Sequence, residues 1–114
     1  MIGVDIVSIE RIERFVARFG DRGLARFLSD QERLIAKKTA TIAGFWAAKE
    51  ACAKALGSGI GGEVGFMDIA ITKSPKGAPL LELSQRVKSS FGVQSCSLSI
   101  AHDNGMAVAV VAIT

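Results

Sequence analysis

Residues 96–113 read C-S-L-S-I-A-H-D-N-G-M-A-V-A-V-V-A-I, and this stretch decides the fold class. Cys96 to His102 alternates in the period of two that a half-buried strand requires. D-N-G at Asp103–Gly105 then makes a tight turn, because Asn and Gly tolerate the backbone such turns demand. Met106 to Ile113 returns as an apolar run, far too short to cross a bilayer and suited to a buried strand. The two segments form an antiparallel hairpin.

Upstream, Leu80–Leu83 is a further short strand, preceded by a turn at S-P-K-G, Ser74–Gly77. Ser84–Phe91 reads as a short helix stopped by Gly92, and Val64–Thr72 as a strand. At the start of the chain, Ile2–Val7 is a β-type run ending at Ser8, a good N-cap. Ile9, Ile12, Val16 and Phe19 recur at helical spacing, and Gly20 supplies a stop. Ser29 and Glu32 form a capping box that opens a helix to about Lys38. An alanine-rich helix spans about Ile42–Leu56 and closes at Gly57. Four glycines in Gly57–Gly62 make that segment a loop. The expected fold is α+β, an antiparallel sheet packed against helices, in a single domain over residues 1–114.

Composition narrows the function classes. Apolar residues are 49% and charged residues 22% of the chain, values of a folded protein rather than a disordered one. No stretch of 18 apolar residues exists, and the acid in M-I-G-V-D-I-V sits where a secretion signal carries positive charge. Cys52 and Cys96 lie inside apolar patterns without metal-ligand spacing, as buried thiols of a reducing cytoplasm would. Between Arg11 and Lys38 there are eight basic residues against four acidic ones. That excess suits an acidic partner, or a well-solvated face. Nucleic acid is a poor candidate, since there is no tyrosine and no interleaving of aromatic and basic residues.

Three residue groups could carry chemistry. Lys49, Glu50 and Lys54 are the only charges between Thr41 and Leu56. Glu50 and Lys54, at i and i+4, are either an exposed pair worth about 0.3–0.5 kcal/mol or a metal-bound phosphate site. In the second case the acid takes the cation and the lysine a phosphate oxygen, while amides of the glycine loop, from Gly57 and Gly59, approach closely. Asp5 interrupts an apolar strand, so it faces water, caps a neighbour or binds a cation. Asp5 and Glu50 together would form the hard-oxygen pair that magnesium accepts. His102, the only histidine, is either structural or a group for proton transfer or phosphate contact.

These pieces occur in one order. G-V-D-I at Gly3–Ile6, with Arg11 beyond, precedes F-W-A-A-K-E-A-C-A-K-A-L-G-S-G at Phe45–Gly59. K-G-A-P follows at Lys76–Pro79, and S-L-S-I-A-H-D at Ser97–Asp103. Over essentially its full length the chain resembles the small bacterial holo-acyl-carrier-protein synthases, a class of 4′-phosphopantetheinyl transferases. The resemblance implies that Asp5 and Glu50 ligate Mg²⁺ with the pyrophosphate of coenzyme A. It also implies that Lys54 contacts phosphate and Lys49 supports the same region. His102 would line the coenzyme site, acting from a neighbouring subunit of a homotrimer. Arg11, Arg14 and Arg18 would meet the acidic helix of the acyl carrier protein. Two departures stand out: Phe45 occupies a position that is basic in some relatives, and F-L-S-D-Q-E at Phe27–Glu32 carries one residue more than the usual pattern. Two rivals, a non-catalytic module binding an acidic protein and a small Mg²⁺-dependent phosphohydrolase, account for fewer of these residues.

Overall fold

The computed structural model describes residues 1–114. The chain runs β1 (Ile2–Ser8), α1 (Ile9–Phe27), α2 (Asp30–Ile35), α3 (Thr39–Ala55) and a 3₁₀ turn at Phe66–Asp68. It continues through β2 (Ile69–Lys73), β3 (Pro79–Leu83), α4 (Gln85–Phe91), β4 (Cys96–Asp103) and β5 (Met106–Ile113). The α+β class expected from the sequence is what forms, with the antiparallel strands divided between two sheets. One sheet has the order β1-β5-β4, and β2 pairs with β3 in the other.

The β4–β5 hairpin places Asp103 opposite Met106. Asn104 and Gly105 sit at φ 51° and 77°, so both central residues of the turn are left-handed. That backbone matches the twist of the flanking strands. β1 pairs along the other edge of β5, with Asp5 opposite Ala109.

The central helix α3 lies across one face of this sheet. Ala43, Ala47, Ala48, Ala51 and Cys52 of α3 are fully buried, as are Ala107, Ala109 and Val111 of β5. Small side chains let helix and sheet approach closely. Gly3 takes this furthest: a Cβ there would lie 1.9 Å from the Ala51 carbonyl oxygen and 2.6 Å from the Ala55 nitrogen. The opposite face of the sheet is apolar but open, with Ile2, Val4, Ile6 and Val110 exposed.

Two local readings change. The first helix does not stop at Gly20; it kinks there, at φ 55° and ψ −143°, and resumes to Phe27. Glycine permits the left-handed residue, and the chain continues because Phe27 is fully buried and stacks edge-on to Trp46 of α3, 5.0 Å between centroids. In Val64–Thr72 only Ile69 onward is strand. Asp68 accepts the Gly65 amide at 2.9 Å and the Ser84 hydroxyl at 2.8 Å. That local cap competes with ladder formation and wins, leaving a 3₁₀ turn before β2.

Candidate active site

Asp5 resolves the oddity of its strand by facing α3 rather than solvent. Side chains alternate along β1, so the register that exposes Val4 and Ile6 turns Asp5 inward beside Gly3 and Val7. The Lys54 ammonium donates to Asp5 Oδ1 at 2.8 Å, and more loosely to the Val4 carbonyl at 3.4 Å. Glu50, one turn earlier on α3, is half-buried. Burial, and then the negative charge of Asp5, push its carboxyl above the usual carboxylate range; Lys54 and Arg11 partly offset this. The hydrogen bond to Asp5 and the charge of that carboxylate hold Lys54 above its ordinary value, with a smaller contribution from Glu50. Asp5, Glu50 and Lys54 thus share one local field, with Arg11 at its margin.

The donor set decides which cation fits. Two carboxylates, both hard oxygen donors, gather here, and no third His, Cys, Asp or Glu joins them. Such a pair is too sparse for a closed zinc site. It suits Mg²⁺, which keeps several waters and is completed by phosphate oxygens. A divalent cation would also offset the burial and, after it, the Asp5 charge that raise Glu50.

Lys49 does not join this cluster, contrary to what the resemblance implies. Its side chain is fully buried, 2.7 Å from Glu32 Oε1 and 3.0 Å from the Phe66 carbonyl. Residues adjacent on a helix diverge by 100°, so Lys49 points to the interior while Glu50 points to Asp5. Gly57 and Gly59 also differ from expectation. The amides of Gly57, Ser58 and Gly59 donate to the carbonyls of Lys54, Ala53 and Ala53, at 3.0, 3.2 and 3.2 Å. The unpaired carbonyls ending α3 claim these donors, which are therefore not free to cradle a phosphate.

His102 stands apart from the carboxylates. It lines a small recess of about 160 Å³ with Thr41, Phe45, Lys73, Gly77 and Pro79. Gly44 of α3 lets β4 pack closely against the helix, since a Cβ there would meet His102 Nε2 at 3.2 Å and Ile100 Cγ2 at 2.9 Å.

The arginines separate into two groups. Arg14 is paired with Glu10 at 2.8 Å, both exposed. Arg18 lies over the Phe19 ring, 5.1 Å from its centroid. Because α1 continues past Gly20, Arg22 and Arg26 join Arg18 and Phe19 along a groove of about 500 Å³. Arg22 and Arg26 were not expected beside Arg18 and Phe19, because a helix ending at Gly20 leaves them outside it. Helical spacing alone does not align these arginines, because the kink at Gly20 lies between Arg18 and Arg22.

Fold and cluster describe a small α+β protein whose paired carboxylates and lysine suit phosphate chemistry. The chain belongs to the 4′-phosphopantetheinyl transferase superfamily, whose family model matches residues 1–111. It is 69% identical over 112 residues to a holo-[acyl-carrier-protein] synthase from Wolinella succinogenes, covering 98% of this chain and 95% of that one. It is also similar to a solved holo-[acyl-carrier-protein] synthase from Helicobacter pylori in complex with coenzyme A. There the TM-score is 0.98 at 55% identity, over 100% of both chains. The Neisseria meningitidis holo-[acyl-carrier-protein] synthase matches with TM-score 0.90 and 35% identity, covering 99% of this chain and 96% of that one.

Proposed function

We infer that this protein transfers the 4′-phosphopantetheine group of coenzyme A to a serine of apo-acyl carrier protein. The observation that carries the reading is the Asp5–Glu50–Lys54 cluster, in a chain so similar to holo-[acyl-carrier-protein] synthases. In the reaction the serine Oγ attacks the phosphorus nearer the pantetheine. A new P–O bond forms, the bond to the bridging oxygen breaks, and adenosine 3′,5′-bisphosphate departs with its electron pair as the serine proton is released. Such chemistry depends on positioning and charge neutralisation rather than on covalent help from the enzyme.

The two carboxylates support Mg²⁺ as the cofactor, held by Asp5 and Glu50. When bound, the cation supplies neutralisation of the pyrophosphate oxygens. Lys54, whose charge is reinforced by Asp5, supports the same diphosphate from the protein side. The recess of His102 and Lys73, with the Phe45 ring as its apolar wall, supports a place for the nucleotide end of the coenzyme. Arg11 borders the carboxylates, and Arg14 and Arg18 lie one and two turns beyond it on α1. With Arg22 and Arg26 they offer an acidic carrier protein a basic track leading toward the site.

We further propose a homotrimer with active sites at subunit interfaces. Its support is the open apolar face of the sheet, where Ile2, Val4 and Ile6 are 76%, 55% and 59% exposed. Contiguous apolar surface of this kind marks an interaction site. Residues 1–114 are taken as one transferase domain, on the strength of a core that runs from Val7 to Ile113. No helix is long and apolar enough to cross a membrane. The free thiols of Cys52 and Cys96, the former pushed up to about 12 by burial and then by Cys96, agree with a reducing cytoplasm.

The test is intact-mass measurement of an apo carrier protein incubated with this protein, coenzyme A and Mg²⁺. A gain of one phosphopantetheine supports transfer. Phosphate release with the carrier unmodified would instead indicate a phosphohydrolase, and binding alone an interaction module.

A further inference from the structure

Glu32 and Lys49 are the only charged side chains buried in the core. Their bonds converge on three elements. Glu32 Oε1 accepts the Lys49 ammonium at 2.7 Å and the Ser29 amide at 2.8 Å, while Oε2 accepts the Ile71 amide at 2.8 Å. The same ammonium donates to the Phe66 carbonyl at 3.0 Å. One nitrogen of α3 is therefore tied directly to α2 and the 3₁₀ turn, and through the Glu32 carboxylate to β2.

The rest of the surface that α3 buries mixes small side chains, Ala43, Gly44, Ala47, Ala48, Ala51 and Ala55, with Ile42, Phe45 and Cys52, and Trp46 packs on Phe27 and Phe66. Apolar burial is non-directional, so these contacts hold α3 in place while the hydrogen-bonded pair adds a directional constraint on its rotation. A buried ion pair is a poor source of stability compared with apolar residues of the same volume, but it is a directional one. Lys49 directly precedes Glu50, so whatever fixes the angular position of Lys49 fixes Glu50 one step around the helix.

We propose that Glu32 and Lys49 are positioning residues for the transfer reaction, a buried pin that sets the rotation of α3 so that Glu50 and Lys54 face Asp5. The inference rests on the reading of Asp5 and Glu50 as the cation site. It gives Lys49 a part in the reaction without contact with coenzyme A, and it gives one to Glu32, 17 residues away. The track of arginines on α1 lies outside the pin, so carrier docking does not depend on it.

The test replaces both charges together, in the variant E32Q/K49M, and measures Mn²⁺ binding from the electron paramagnetic resonance signal of the free ion, with coenzyme A present. Folding is checked by circular dichroism. The double variant stays folded, binds Mn²⁺ about 10–100-fold more weakly, loses kcat in parallel and keeps its KM for carrier protein. Should E32Q/K49M fail to fold, Glu32→Asp keeps both charges but withdraws the carboxylate by one methylene, and the same split is expected. A folded variant with unchanged Mn²⁺ affinity and kcat overturns the proposal, and so does a rise in KM for carrier without loss of cation affinity. If the unaltered protein binds Mn²⁺ no better than Glu50→Gln does, the cation-site reading itself fails and takes the pin with it.

Discussion

The Lys54 ammonium lies 2.8 Å from Asp5 Oδ1, joining the last turn of α3 to the middle of β1. The lysine is 54% exposed and the aspartate 15%, so the pair sits at the surface with its acid turned inward. Solvent-screened pairs of this kind contribute little to stability. Lys54→Met is therefore expected to melt close to the unaltered protein while transfer slows by about 10²–10³-fold. Thermal unfolding and steady-state kinetics check the two halves separately.

Glu50 is held protonated more readily than an ordinary glutamate of pKa 4.5, first by burial and then by Asp5. Between 4.5 and its raised folded value, the native state binds more protons at this site than the unfolded chain does. Stability then falls as pH rises through that window, and the penalty persists above it. Glu50→Gln removes the penalty. In chelator at pH 7 the variant should be more stable than the parent, and the advantage should vanish below pH 4.5. Urea denaturation at both pH values measures this.

Arg22 and Arg26 share a groove with Arg18 and Phe19. If that groove receives an acidic carrier, Arg22→Glu with Arg26→Glu raises KM for carrier about 10-fold or more, and the effect shrinks in high salt. KM for coenzyme A stays unchanged. Kinetics with each substrate varied in turn separates the outcomes.

Gly3 allows β1 to touch α3. Because a Cβ there falls 1.9 Å from a backbone oxygen, Gly3→Ala forces strand and helix apart. A loss of about 3 kcal/mol is expected, at the upper end of overpacking costs. Activity should fall further than stability does, since Asp5 moves with the strand; parallel melts and assays show whether it does.

The fold was legible where one short-range rule governed. The D-N-G turn, the Ser8 and Ser29 caps and the alanine-rich helix all form where their local chemistry places them. Gly20 and Val64–Thr72 were misread because distant partners decide them: Phe27 meets Trp46, 19 residues on, and Asp68 meets Ser84. For the site, spacing showed that Glu50 and Lys54 share a face, but nothing local brings Asp5 to them across 49 residues. The resemblance supplied that pairing. It also drew Lys49 into the site, because motif neighbours in sequence point in different directions on a helix. The fate of its charge depends on Glu32, which no periodicity connects to it.

The part of Glu50 and Mg²⁺ in transfer is decided by intact-mass spectrometry of an apo carrier protein, with Mg²⁺ or with chelator, and with either the unaltered protein or Glu50→Gln. A gain of one phosphopantetheine is expected only for the unaltered protein with Mg²⁺, with Glu50→Gln folded and inactive beside it. Near-normal modification of the carrier by Glu50→Gln, or by the unaltered protein in chelator, would contradict that role.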